Sequence, residues 1–317
     1  MIRIYSYSRE SNRMETPSIA ELPKHLADRG RTIWVDLENP TDEETGVLGG
    51  MFGFHILSVE DCIDDAWLPK EDVYDGYTYS IFYAAAPDQV DRLVAQKLDI
   101  FVGPNFLVTH HHEEIKGLFD TRGVVAKNPG SLLRSSDWLL HGVLNTVIDY
   151  CKPALEGLEK RVEQLAEASE HASKGLDDSV KLHKDLCLFR DLTLNQQTAL
   201  ERLAYSEKPY VSEENRDYFR DVHDHNRHLH HRTVQAVERL AWAVESIRAA
   251  DARRSKNAIR WGVVVLTAVS LPSLVVGVIS LPPQTTHLSL KLAPVVLGVV
   301  VAYFVGVLVI FKQKRWF

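Results

Sequence analysis

No acidic residue follows Asp251, in a chain of 317 residues that carries 43 of them. From Asn257 to Phe317 the only charges are Arg260, Lys291, Lys312, Lys314 and Arg315. The formal net charge of −7 therefore conceals a body, residues 1–256, at −12. An acidic body followed by a nearly charge-free tail is not the profile of an ordinary soluble enzyme. Cysteine is scarce too. Cys62, Cys151 and Cys187 lie far apart with no CxxC pair, which excludes a disulfide framework or a cysteine-rich zinc site and fits a reducing compartment. The 17 glycines and 13 prolines are too few for a collagen-like or linker protein, and 45% hydrophobic residues exclude a wholly disordered chain. The opening MIRIYSYSRES has no apolar stretch, so no cleaved secretory signal is expected. HExxH, P-loop, GxSxG and GxGxxG motifs are all missing, and Gly46, Gly49, Gly50 and Gly53 lack phosphate-loop spacing. Neither an enzyme nor an ATP-driven pump is expected. No basic recognition patch points to nucleic acid.

What is present sits at the end of the chain. Trp261–Leu281 contains no charged residue, and as a helix it would extend ~31 Å against a hydrocarbon core of ~30 Å. A second apolar run, Leu292–Phe311, is of similar length, after the short linker PPQTTH. Arg253, Arg254, Lys256 and Arg260 precede the first run, and Lys312, Lys314 and Arg315 follow the second. The positive-inside rule then puts both termini in the cytoplasm and the linker outside, in the inner (plasma) membrane. A pair of buried core helices is the alternative, but basic clusters flank both runs. Two spans cannot enclose a pore, so a conducting form needs several copies on one axis.

The body reads as α+β. TIWVDL (Thr32–Leu37) is a strand, and Thr41 with Glu44 is a capping box that starts a short helix. Val73–Tyr79 alternates around Asp75-Gly76 as a hairpin, and Leu98–Val102 and Phe106–Thr109 are further strands. Leu140, Leu144, Val147, Cys151, Leu155, Leu158, Val162 and Leu165 keep helical spacing across Asp137–Ala168, with a bend expected at Pro153. Gly175 closes a break, and Leu176–Tyr205 returns as a second helix. After Pro209, a helix starting at Ser212 meets no Pro or Gly until Gly262, roughly 50 residues. Its 3-4 seam is Phe219, Val222, Asn226, Leu229, Thr233, Ala236, Leu240, Ala243 and Ile247, which either joins helices of several copies or packs on helices of the same chain.

These segments together resemble the CorA-type divalent metal ion transporters, a family that includes zinc-transporting relatives. The residues that carry the likeness are TIWVDLENPTDEE, FGFHILSVED, NFLVTHHHE, VIDYCKPALEGLEKRVEQL, YFRDVHDHNRHLHHRTVQAVERL and the two terminal runs ending KQKRWF. The resemblance implies a CorA-like funnel, an assembly of self-copies (a pentamer), and transport of Mg²⁺, Co²⁺, Ni²⁺ or Zn²⁺ down the membrane potential. No cofactor is expected other than a transported or regulatory divalent cation (Mg²⁺ or Zn²⁺). On that scheme 1–130 is an α/β cytosolic domain, 131–208 an antiparallel helical hairpin and 209–260 a stalk helix. Residues 261–281 and 292–311 are the transmembrane helices, 282–291 the external loop and 312–317 a basic tail. The family's Gly-Met-Asn signature has no counterpart. Aligning Pro272 places it at Leu281-Pro282-Pro283, and aligning Gly277 places it at Ser280-Leu281-Pro282. A non-conducting scaffold and a pore of altered selectivity therefore stand beside the divalent channel.

Thr267, Ser270, Ser273, Gly277 and Ser280 step 3-3-4-3 and share one helix face, either as a pore wall of hydroxyls or as a packing face. Asn257 falls where the resemblance implies an asparagine ring at the cytosolic pore mouth. Pro282 and Pro283 lack N–H groups, so the Val278 and Ile279 carbonyls would lose their helical donors and form a ring attractive to cations, or simply end the helix. His225, His228 and His231 step by three on the long helix, with Asp221 a turn before, a spacing that could hold Zn²⁺, Ni²⁺ or Co²⁺ or merely decorate a solvated face. His110, His111 and His112 end a strand, where alternation sends them to both faces.

Overall fold

The computed structural model describes residues 1–64, 69–88, 92–167, 172–205 and 209–279, and beyond them positions 298, 301, 302 and 305. Two units divide the chain, Met1–Val244 and Glu245–Phe317.

In the first unit, β1 (Ile2–Ser8) and β2 (Arg13–Glu15) are followed by α1 (Leu22–Ala27), β3 (Arg31–Glu38), α2 (Asp42–Gly50) and α3 (Ile56–Ile63). Then come β4 (Glu71–Tyr74), β5 (Tyr77–Pro87), β6 (Leu93–Val102) and β7 (Phe106–His111). The helices α4 (Lys116–Lys127), α5 (Pro129–Leu132), α6 (Ser136–Glu167), α7 (Ala172–Tyr205) and α8 (Arg216–Ile279) complete the order. The sheet runs β2-β1-β3-β7-β6-β5-β4, with β3 and β7 parallel and the other described pairs antiparallel.

Local chemistry accounts for the element boundaries. Thr41 accepts from the Glu44 N–H and Glu44 reaches back to the Thr41 N–H, closing the capping box that opens α2. Gly76 turns the β4–β5 hairpin at φ +89°, a backbone that side chains resist. The Tyr83 N–H of β5 donates to Gln196 Oε1 of α7 at 2.7 Å, so a helix side chain satisfies a strand amide. A Cβ on Gly117 would sit 3.1 Å from the Val147 backbone, so glycine lets α4 approach α6 closely.

The sheet is buried on both faces, which is why its strands are so apolar. On one face Ile33, Val35, Leu37, Tyr79, Ile81, Phe101 and Val108 pack with Leu22, Leu48, Phe54 and Cys62 from α1 to α3. Trp34, Phe82, Leu98, Ile100 and Leu107, one residue out of phase, are equally buried on the other, toward α6.

Several expectations need adjusting. The strands β1 and β2 and the helix α4 carry weak local signals and were not foreseen. Gly175 lies inside α7, which starts at Ala172 rather than Leu176. The α8 seam is covered by the chain itself: every residue from Phe219 to Ala243 in that series is 5% exposed or less in a single copy. Asn226 Nδ2 donates to the Thr193 carbonyl of α7 at 2.8 Å. Arg232 grips Glu159 of α6 with two guanidinium nitrogens, at 2.6 and 3.3 Å. A heptad stripe reports that a face is covered, and here α6 and α7 cover it.

Asp137 joins the start of α6 to the approach of α8. It accepts from Ser135 Oγ at 2.6 Å and from the Ser212 N–H and hydroxyl at 2.9 and 2.7 Å. Burial alone would raise its carboxyl, but these hydrogen bonds prevail and hold it below the usual range.

Candidate functional site

The consecutive histidines at the end of β7 each anchor a buried polar cluster, on opposite faces of the sheet. His110 pairs across the ladder with Asp99 of β6, and its Nδ1 lies 3.3 Å from Asp99 Oδ2. Tyr79 donates to Asp99 Oδ1 at 2.7 Å, and Lys97 Nζ stands 3.4 Å from the same oxygen. Cys62 of α3 completes the group, its thiol donating to the Ser58 carbonyl. Desolvation and then the Asp99 charge push the Cys62 thiol well above its ordinary range, so it stands protonated.

On the other face, Asp36 of β3 is fully buried. Thr109 donates to its Oδ1 at 2.7 Å, His111 Nε2 lies 3.1 Å from that oxygen, and Arg122 of α4 donates to Oδ2 at 2.7 Å. Arg122 also holds Glu38, as does Arg3. Trp34 donates to Thr109, extending the network into the core. Burial would raise the Asp36 carboxyl, but the hydrogen bonds from His111, Arg122 and Thr109 overcome it and hold it below the usual range. Asp36 was visible in TIWVDL as an acid inside an apolar strand. Its partners, far away in sequence, were not.

The histidines of α8 do not gather. Among the described residues, groups of three or more ligating side chains close enough for one ion occur as Cys62–Asp99–His110 and Asp36–Glu38–His111, and neither includes His225, His228 or His231. His225 is half-exposed, with its ring nitrogens 3.9 Å from Asp149 and 3.7 Å from Asp221. It lines, with His228, Asp149, Lys152 and Arg232, an open hollow of about 280 Å³. His231 is exposed elsewhere on the helix. Steps of three turn each successive ring by about 60° backwards around the axis, so His225 and His228 are neighbours over the hollow while His231 stands about 120° from His225.

In the second unit, Asn257 is exposed and Thr267 and Ser270 are part-exposed on α8. Thr267 Oγ1 donates to the Val263 carbonyl at 2.7 Å, and Ser270 Oγ to the Thr267 carbonyl at 3.1 Å. Each hydroxyl spends its proton on the helix backbone. Between them the surface is apolar: Trp261 is 70% exposed, Leu266 72% and Val269 63%. Water does not favour such a contiguous face. Ser273 and Gly277 fall within the α8 range, without described side chains, and Ser280, Pro282 and Pro283 lie outside the described residues. The expected span 292–311 lies outside them too, apart from four positions. Among the described residues no helix is long and apolar enough to cross a membrane.

The family model described as "CorA-like Mg2+ transporter protein" matches residues 29–314. The chain belongs to this family. It is thereby a member of a divalent metal ion transporter family and not of an enzyme family. Its relatives are distant. YfjQ of Bacillus subtilis is 27% identical over 299 residues, which cover 90% of this chain and 89% of that protein. The cobalt/magnesium transport protein CorA of Thermotoga maritima is 22% identical, covering 99% of this chain and 92% of its own. Among solved structures, the complete CorA magnesium transporter of Methanocaldococcus jannaschii superposes with a TM-score of 0.78 at 19% identity, covering 96% of this CorA-like chain and 97% of its own. The full-length CmaX protein gives 0.81 at 15% identity, over 99% and 97%. These superpositions establish the α+β fold with its long helices.

Proposed function

We propose that this CorA-like chain is the subunit of a homo-oligomeric, passive channel for divalent cations (Mg²⁺, Co²⁺, Ni²⁺ or Zn²⁺) in the inner (plasma) membrane. Residues 261–281 and 292–311 would be its spans, with both termini cytoplasmic. The observation that carries the reading is the family match, which runs through both charge-free segments to residue 314. The exposed apolar surface around Trp261, Leu266 and Val269 supports it, because lipid or neighbouring copies would cover that surface. With two spans per copy, several copies must share an axis; five is the number the family resemblance implies.

In this reading Asn257, Thr267, Ser270, Ser273, Gly277 and Ser280 line the axis. Their oxygens accept hydrogen bonds from the water shell of a cation and so pass the ion hydrated, which matters for Mg²⁺ because it dehydrates reluctantly. At the outer end, Pro282 and Pro283 leave carbonyls without donors where the helix dipole is negative, a substitute for the missing Gly-Met-Asn. The potential supplies ~2.3 kcal/mol per charge per 100 mV.

The test is ion flux into proteoliposomes under an inside-negative potential, across Mg²⁺, Co²⁺, Ni²⁺, Zn²⁺ and K⁺. Divalent uptake is expected, slowed severalfold by Pro282→Ala with Pro283→Ala. Uptake unchanged in that variant removes the carbonyl ring from the scheme. Silence for every ion overturns the channel reading in favour of a non-conducting scaffold, the reading that the missing signature triplet favours.

A further inference from the structure

The cluster beneath α3 has a composition that the ion path lacks: one sulfur, one nitrogen and one oxygen donor. Cys62 Sγ, a carboxylate oxygen of Asp99 and a ring nitrogen of His110 lie within 4.8 Å of one another, all buried. We infer that this triad, with His112, is a binding site for a borderline divalent ion, Zn²⁺ or Co²⁺, inside the first unit. The inference does not depend on whether the chain conducts.

Three features carry it. The first is donor chemistry. Thiolate and imidazole select Zn²⁺ and Co²⁺ over Mg²⁺, which prefers an all-oxygen shell. The second is rigidity. Asp99 and His110 face each other across adjacent strands, and α3 sets Cys62 over them, so each ligand comes from a different packed element. Tyr79 and Lys97 already hold Asp99 Oδ1, which leaves Oδ2 turned toward His110 as the coordinating oxygen. The third is access. His112 is exposed and lies on the same side of the strand as His110, with the two ring centroids 5.1 Å apart and edge-on. Its ring, beside that of His110, would supply a fourth ligand on turning inward.

Zn–ligand bonds of about 2.0–2.3 Å put tetrahedral donors about 3.3–3.8 Å apart, so the side chains must draw in by about 1 Å. On binding, Cys62 gives its proton to water and a sulfur lone pair to the ion, and its hydrogen bond to Ser58 is released. Lys97, also bonded to the Asp61 and Asp64 carbonyls, is the resident cation that the incoming ion must tolerate.

Titrating the full-length chain in detergent micelles with Co²⁺ alone tests the site. The expected result is a near-ultraviolet thiolate-to-cobalt band that saturates at one ion per chain. It should be absent in Cys62→Ser and weakened at least tenfold in affinity in His110→Ala, but kept in Cys187→Ser. Lys97→Met, which removes the competing charge, should bind Co²⁺ several times more tightly. Circular dichroism separates lost folding from lost ligation, and Asp99→Asn, which keeps the shape of the side chain, serves if Cys62→Ser does not fold. No band in the natural chain, or a band that survives in folded Cys62→Ser, overturns the inference.

Discussion

Replacing Arg122 with leucine should lower the unfolding free energy of the first unit by about 3–5 kcal/mol, because it strands a buried carboxylate. Asp36 has no exposed surface, and Arg122 is its full-charge partner at 2.7 Å. Arg3 reaches the same carboxylate only at 3.6 Å. Leucine fills the volume but returns neither hydrogen bonds nor charge, and it removes one of the two arginines that hold Glu38. Urea unfolding followed by tryptophan fluorescence would read the loss, since Trp34 donates into this network. Adding Asp36→Leu to Arg122→Leu should recover much of it, because the desolvated charge is then gone. The pH dependence has a defined sign. In the natural chain the Asp36 carboxyl is held below its ordinary value, so its contribution is present above about pH 4 and lost as pH falls through the folded value. Without Arg122 only the His111 and Thr109 hydrogen bonds oppose the burial, so that lowering is weakened and protonation relieves the strain. The gap between natural chain and variant should therefore be widest near neutrality and narrow on acidification. A gap under about 1 kcal/mol at pH 7, typical of an exposed pair, would show that Asp36 is hydrated and not buried.

Thr267→Leu combined with Ser270→Leu should cut divalent flux at least about tenfold, roughly 1.4 kcal/mol on the barrier. Both hydroxyls sit on one face of α8 and satisfy their own protons on the helix backbone, and in the channel reading their oxygens accept from a passing hydration shell. Leucine keeps the helix and raises its affinity for lipid, so expression and oligomer size should not change. Flux at the natural rate, in protein of natural oligomer size, would move these residues from the ion path to the packing face.

Period and punctuation made much of the fold legible. TIWVDL alternates around a buried sheet, and the α6 series from Leu140 to Leu165 is buried throughout, as 3.6-residue spacing requires. Asp75-Gly76 and Thr41/Glu44 carry their own stereochemical reasons. The weaker elements were not legible. The edge strand β2 is three residues long, and α4 shows mixed polarity, so tertiary contact rather than propensity shapes both. The clusters around Asp36 and Cys62 were illegible for a different reason. Their members come from α3, α4, β1, β3, β5, β6 and β7, and no local spacing encodes which distant strand lies next to which.

By itself the sequence determined the division between an acidic folded body and a charge-free tail, the α+β class, the long helices and the family. Each of these depends on composition, local periodicity or many weak matches summed along the chain. The tertiary structure alone decided which surfaces meet: that α6 and α7 cover the α8 seam, that His110 meets Asp99 and Cys62 while His111 meets Asp36, and that Asp149 and Arg232 border the hollow beside His225. The physical reason is that burial and electrostatic partnership depend on distances between residues remote in sequence, and strand order and helix packing set those distances.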